Sequence, residues 1–213
     1  TIRPVAPGLP LVQAALIEPL AVAVHALRAS KFKVSDTTAV LGAGPIGIMT
    51  AQVARLAGAQ RVFVSERSPR RLQIAREMGF DVVDAGEQSI VDVVAEATRG
   101  VGLPIVFETA GVQPTIAEAI KMIRPGGELL QVGMPKTPPA VDITAIQFKE
   151  IVVTPIRVYR EEDFNQAVAI ANAGTLDLVK PTTHIMPLQE LGQAMEIAHQ
   201  ASDACKILLD PSA

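Results

Sequence analysis

The chain contains no tryptophan, one tyrosine and six phenylalanines, so aromatic residues make up only 3% of its 213 residues. A core must therefore be aliphatic, and a hydrophobic fraction of 49% is enough to build one. Cysteine is equally scarce. Cys205 stands alone, which excludes an internal disulfide framework and fits a reducing compartment. Neither sign of charge dominates: 19 basic and 22 acidic residues give a formal net charge of -3, without the basic footprint of a nucleic-acid-binding protein. Long apolar runs are missing as well. The longest, residues 9–27, is broken by Gln13, Glu18, Pro19 and His25, which argues against a membrane span. The start at Thr1 carries no initiating methionine, charged leader or apolar targeting core, so the expectation is a cytoplasmic protein and a fragment or processed chain. We expect one domain over 1–213, with a core at about 34–155, a lead-in at 1–33 and a return segment at 156–213.

What is present is a glycine turn in a telling place. The apolar run Ala39-Val40-Leu41 leads into Gly42-Ala43-Gly44-Pro45-Ile46-Gly47, and a helical pattern follows to Ala57. In a strand–turn–helix unit Gly42 permits the tight turn, Gly44 lets backbone approach a pyrophosphate, and Gly47 lets helix and strand pack closely. The first N–H groups of that helix have no partner within it and point outward with its dipole behind them, which favours an anion.

The rest of the chain alternates. Residues 1–10 read as an extended lead-in, Leu11 to Ile17 as a short helix ended by Glu18-Pro19, and Leu20 to Arg28 as a buried helix. Strands are expected at Thr37–Leu41, Arg61–Ser65, Val82–Val83, Leu103–Phe107, Glu128–Val132 and Ile151–Thr154. The helices between them are expected at Pro45–Ala57, Pro69–Met78, Ile90–Thr98 and Pro114–Ile123, with Ser68 and Ser89 as caps. After the proline-rich loop 135–140 the pattern loosens, leaving helices at Glu161–Ala173 and Leu188–Gln200 and a short strand at Lys206–Leu209. Strands alternating with helices of this length predict parallel βαβ units, hence an α/β doubly wound sheet.

Three further places carry candidate chemistry. Glu66 ends the second strand, 24 residues after Gly42 and 19 after Gly47, where an acidic residue accepts the ribose hydroxyls of NAD and repels the 2′-phosphate of NADP. Arg67 beside it could pair with that phosphate, and the competing reading of both is a solvated loop pair. Glu108-Thr109-Ala110-Gly111 and Val132-Gly133-Met134 follow strands four and five at the carboxyl edge, where ligands bind in open sheets; simple turn chemistry is the alternative. Glu18, between an apolar helix and Pro19, is either a helix-terminal charge or a carboxylate paired with a cation or metal. His25 reads as a satisfied core histidine and Cys205 as a small buried hydrophobe.

Taken together, Glu18-Pro19-Leu20-Ala21-Val22-Ala23-Val24-His25-Ala26-Leu27, the glycine turn, and Ser65-Glu66-Arg67-Ser68 with Arg71-Leu72 resemble zinc-dependent medium-chain dehydrogenases. The sorbitol- and threonine-dehydrogenase-like branch is the nearest, and Arg124-Pro125-Gly126-Gly127, Val132-Gly133 and Arg157-Val158-Tyr159 agree in order. The resemblance implies a Rossmann sheet of order 3-2-1-4-5-6 and a GroES-like catalytic domain to which the N- and C-terminal segments belong. It implies that Gly42, Gly44, Pro45, Ile46 and Gly47 cradle the pyrophosphate, with Glu66 in place of the branch's aspartate at the ribose and Arg71 along the adenosine. Thr109, Ala110, Val132, Gly133 and Met134 then meet the nicotinamide, and Glu18 stands beside the catalytic zinc or its water, whose remaining ligands have no counterpart here. Pro155 replaces the family's glycine.

The implied protein is an NAD-dependent polyol or secondary alcohol dehydrogenase, a homo-oligomer acting on a small-molecule alcohol, with no nucleic-acid or membrane partner. The implied cofactors are NAD rather than NADP, with zinc in the full-length parent; this chain by itself should bind dinucleotide without turning over alcohol. Two rivals are a stand-alone NAD(H)-binding regulatory module and a zinc-free NADPH quinone-reductase relative, against which Glu66 argues.

Overall fold

The computed structural model describes residues 2–200 and 204–213. A short helix α1 (Leu11–Ala14) precedes α2 (Ile17–Ala29), and the chain then enters β1 (Thr37–Leu41) and α3 (Pro45–Leu56). There follow β2 (Arg61–Glu66), α4 (Pro69–Glu77), β3 (Asp81–Asp84), α5 (Ile90–Ala97), β4 (Leu103–Glu108), α6 (Gln113–Met122), β5 (Ile123–Gln131), α7 (Ile143–Lys149) and β6 (Val152–Pro155). The six strands form one parallel sheet in the order β3-β2-β1-β4-β5-β6, as the family resemblance implies. Helix α8 (Glu161–Ala173), β7 (Thr182–Pro187), a 3-10 turn at Leu188–Glu190, α9 (Leu191–Gln200) and β8 (Lys206–Asp210) complete the chain; β7 and β8 pair in a separate parallel sheet.

Strand alternation divides the core. Val40, Val62, Val64, Ile105, Phe107 and Leu130 face one side, against Ile48, Ala51 and Ala54 of α3 and Ile74 of α4. Ala39, Leu41, Phe63, Val83, Val106 and Leu129 face the other, against Ile90 and Val94 of α5 and Ile116 and Ile120 of α6. Both sheet faces are thus apolar and covered, as in parallel sheets generally. A third cluster joins Leu16, Leu20, Ala23 and Val24 of the α2 region to Met49 and Val53 of α3 and Ala167, Val168 and Ala171 of α8. Residues 11–29 together have the length and composition of a membrane span. Seven α2 residues are buried, and these contacts with α3 and α8 account for its apolar character.

Several expectations need correction. Glu18-Pro19 does not end a helix; both lie in the first turn of α2. Proline is tolerated there because that turn's N–H groups have no intrahelical acceptor in any case. The expected last helix from Leu188 begins as a 3-10 turn, and α7 and β7 were not foreseen. Strand β5 begins at Ile123, five residues early: Ile123 pairs with Leu103 and Glu128 with Ile105, so Arg124-Pro125-Gly126-Gly127 bulges out between two paired positions.

Candidate functional site

At the carboxyl end of β1 the backbone turns at Gly42, whose φ of 101° is open only to glycine without strain. Its N–H donates to the Ser65 carbonyl at 2.8 Å. Gly47 serves packing: a Cβ there would lie 1.9 Å from the Gly42 oxygen and 2.8 Å from Thr109 Oγ1. Gly44 is different in kind. It is the N-cap of α3 with ordinary backbone angles, no side chain caps that helix, and a Cβ on it would meet nothing within 4 Å. The serine and aspartate caps Ser68, Ser89 and Asp142 satisfy the starts of α4, α5 and α7, while α3 opens on Gly44 and Pro45. The room beside Gly44 and the uncapped N–H groups behind it fit a pyrophosphate.

A cavity of about 340 Å³ extends from Gly42 and Gly44 past Glu66, Arg67 and Arg71 to Thr109 and Ala110. The Glu66 side chain is 12% exposed. Its Oε2 accepts from the Ala43 N–H at 2.9 Å, and its Oε1 from the N–H groups of Arg67 and Ser68 at 2.7 and 3.1 Å. Glu66 therefore ties the end of β2 to the glycine turn, a contact that motif spacing does not reveal. Arg71 lies 3.8 Å from Glu66 and donates from Nε to the Ala204 carbonyl at 2.8 Å. Glu118 of α6 lines the same cavity; burial raises its carboxyl above the ordinary value, with Lys121 and Arg67 pulling the other way.

A second cavity, about 330 Å³, adjoins the first through Ala110 and Val112, which line both, and it continues along Gly111, Met134 and Pro135. Thr109 closes the turn from below, its hydroxyl 2.8 and 3.0 Å from the Leu41 and Gly42 carbonyl oxygens. Val132 packs on the core, and Met134 is 81% exposed. Glu108, which opens the candidate segment after strand four, organises this end: it is a fully buried carboxylate closing β4, a role the motif reading did not give it. In the sequence the signal for that role is an acid ending the apolar run Pro104-Ile105-Val106-Phe107.

The cleft does not gather every candidate. Glu18 is exposed in the first turn of α2 and lines neither cavity. Among the described residues no group of three or more His, Cys, Asp or Glu could hold a metal, so they do not supply a zinc site. His25 is satisfied in the core, with Nδ1 2.8 Å from Asp163 Oδ2. Cys205 is buried against the turn, its Sγ 3.6 Å from the Ala43 oxygen, and burial pushes its thiol up to about 11. A larger cavity, about 450 Å³, lies by Arg55 and residues 175–177, away from the glycine turn. Its charges are paired internally: Lys180 with Glu77 at 3.2 Å, and Arg55 with the Met78 and Gly79 carbonyls.

The doubly wound sheet, the glycine turn and the acid ending the second strand define a dinucleotide-binding domain of the Rossmann class. The sequence matches the zinc-binding dehydrogenase family over residues 45–173, and the chain belongs to that family. It is 34% identical to 2-dehydro-3-deoxy-L-galactonate 5-dehydrogenase of Pseudoalteromonas atlantica over 91% of its length, and 30% identical to sorbitol dehydrogenase of Bacillus subtilis over 94%. It is similar in structure, with a TM-score of 0.86 and 27% identity over 97% of the chain, to a zinc-binding dehydrogenase from Sinorhizobium meliloti bound to NADP. The chain spans 57% of the length of each of those two curated relatives and 61% of that solved chain.

Proposed function

We propose that this chain is the coenzyme-binding portion of an alcohol or polyol dehydrogenase that uses NAD in preference to NADP. The observation that carries the reading is the cradle at Gly44: an uncapped helix start, open space where a side chain would be, and the Glu66 carboxylate in the same cavity. Bound there, a nicotinamide cofactor supplies hydride transfer. The chain's own residues do the holding. N–H groups opening α3 bind the pyrophosphate, and Glu66 accepts the adenosine ribose hydroxyls. Each carboxylate oxygen has two lone-pair sites, so Oε2 keeps one free beside its bond from Ala43. Arg71 and Arg67, both cavity-lining, face carboxylates: Arg71 the Glu66 group at 3.8 Å, Arg67 the charge of Glu118. That arrangement disfavours a 2′-phosphate. Thr109, Ala110, Val132, Gly133 and Met134 border the nicotinamide end.

The substrate class, small alcohols or polyols, follows the relatives named above. Glu18 is this chain's contribution toward a metal centre whose ligands come from elsewhere in the full protein, which acts in the cytoplasm. The edge of β6, with Val152 37% and Val153 44% exposed, is the surface for pairing with a second copy. Calorimetric titration with NADH and NADPH tests the cofactor assignment. The native chain binds NADH more tightly, and Glu66→Ala weakens NADH by roughly tenfold and narrows the preference, since a charge-assisted hydrogen bond is lost. Tighter NADPH binding by the native chain overturns the assignment.

A further inference from the structure

Glu108 is 0% exposed, and a carboxylate in such a place is costly to bury unless donors surround it. Here they do. Oε1 accepts from the N–H groups of Ala110 and Gly111 at 2.9 and 2.8 Å, with the Thr115 hydroxyl 2.7 Å away. Oε2 accepts from the Gln131 side-chain amide at 2.5 Å and lies 3.1 Å from the Gly111 nitrogen. The same Gln131 amide donates its second hydrogen to the Gly133 carbonyl at 2.7 Å. One carboxylate thus links the segment after β4 to the segment after β5.

The two segments have no slack between them. A Cβ on Gly133 would lie 2.3 Å from the Gly111 nitrogen and 2.8 Å from Glu108 Oε2; a Cβ on Gly111 would lie 2.9 Å from the Met134 carbonyl carbon. The Val132 and Gly133 N–H groups also donate to the Glu108 backbone carbonyl, at 2.9 and 2.8 Å. An apolar side chain could fill the same space without any desolvation cost, but it could not hold four polar partners in register. Two of those partners, Ala110 and Gly111, line the second cavity, the one that adjoins the glycine-turn cavity through Ala110 and Val112.

We propose that Glu108 is a positioning residue for the nicotinamide half of the cofactor, fixing residues 110–111 against 133–134 without touching the ligand. The inference rests on the dinucleotide reading above. It predicts a split between the two halves of the ligand, which a merely structural role would not produce. ADP-ribose carries the adenosine and pyrophosphate but no nicotinamide, so it does not depend on the second cavity.

The test is titration of the native chain and Glu108→Gln with NADH, followed by nicotinamide fluorescence, and with ADP-ribose, followed by calorimetry. The variant's amide turns a donor toward donors, and NADH should bind roughly tenfold more weakly, the loss expected for hydrogen bonds to a charged group. The emission of bound NADH should fall toward that of free NADH, while ADP-ribose affinity stays within about twofold of native. Gln131→Met, which cuts the bridge on the less buried side, should show the same split; it decides the matter if Glu108→Gln does not fold. Equal weakening of both ligands, or no weakening of NADH, overturns the role of Glu108 while leaving the dinucleotide reading intact. A native chain that binds neither ligand overturns both.

Discussion

A methyl group on Gly47 would sit 1.9 Å from the Gly42 oxygen, so Gly47→Ala must push α3 off the turn. Overpacking of this kind costs about 1–3 kcal/mol, and the expected outcome is a lower melting temperature together with lost NADH binding. Cys205 gives the opposite kind of prediction. Its thiol is buried and pushed up to about 11, with Arg71 drawing it down and Glu66 pushing it further up. It should resist a thiol reagent near neutral pH in the folded chain and react at once in denaturant. At this scale the sequence was informative wherever a backbone constraint is local: the turn at Gly42 and the close packing at Gly47 follow from their spacing. It was silent where a side chain folds back on distant backbone. Nothing in Ser65-Glu66-Arg67 shows that the Glu66 carboxylate reaches Ala43, or that Glu108 holds Gln131, because those bonds exist only once neighbouring strands pair.

Among the elements, α2 and α8 are joined by a buried charge. Asp163 is 0% exposed and caps α8 through the Arg160 N–H at 2.8 Å; it also pairs with Arg28 Nη1 at 2.6 Å and with His25. Burial alone would raise its carboxyl, but the Arg160 N–H, the Arg28 hydrogen bond and the charges of His25 and Arg28 outweigh it and hold it below the ordinary 3.8. A depressed folded value means its contribution is complete above the unfolded carboxylate range and disappears as pH falls through the folded value. Asp163→Asn should therefore destabilise the chain at neutral pH by about 3 kcal/mol, much less in strong acid, as read from thermal melts across pH. The elements themselves were legible where period and caps agree, as in α4 and α5 behind Ser68 and Ser89. Pro19 misled because the same residue that stops one helix is acceptable in the first turn of the next. β7 escaped notice because a strand such as Thr182–Pro187 is defined by its partner β8, 24 residues away along the chain at Thr182 and Lys206.

For the whole molecule, six parallel strands bring one end of β1, β2, β4 and β5 to a common edge, and the glycine turn, Glu66 and Glu108 meet there because of that order. The sheet order could be anticipated from the family resemblance; the return segment could not, since β7 and β8 pair in a sheet of their own, with Ile185, Leu191 and Met195 of this segment exposed. If β6 joins a second copy, sedimentation should report a dimer of the 22.5 kDa chain rather than a monomer. The central claim is that the open space at Gly44 receives a cofactor's pyrophosphate. Gly44→Val tests it most directly, because a Cβ there has no protein atom within 4 Å and its backbone angles suit any residue. NADH should bind the native chain and fail to bind Gly44→Val at an unchanged melting temperature; equal affinity for NADH in both would contradict the account.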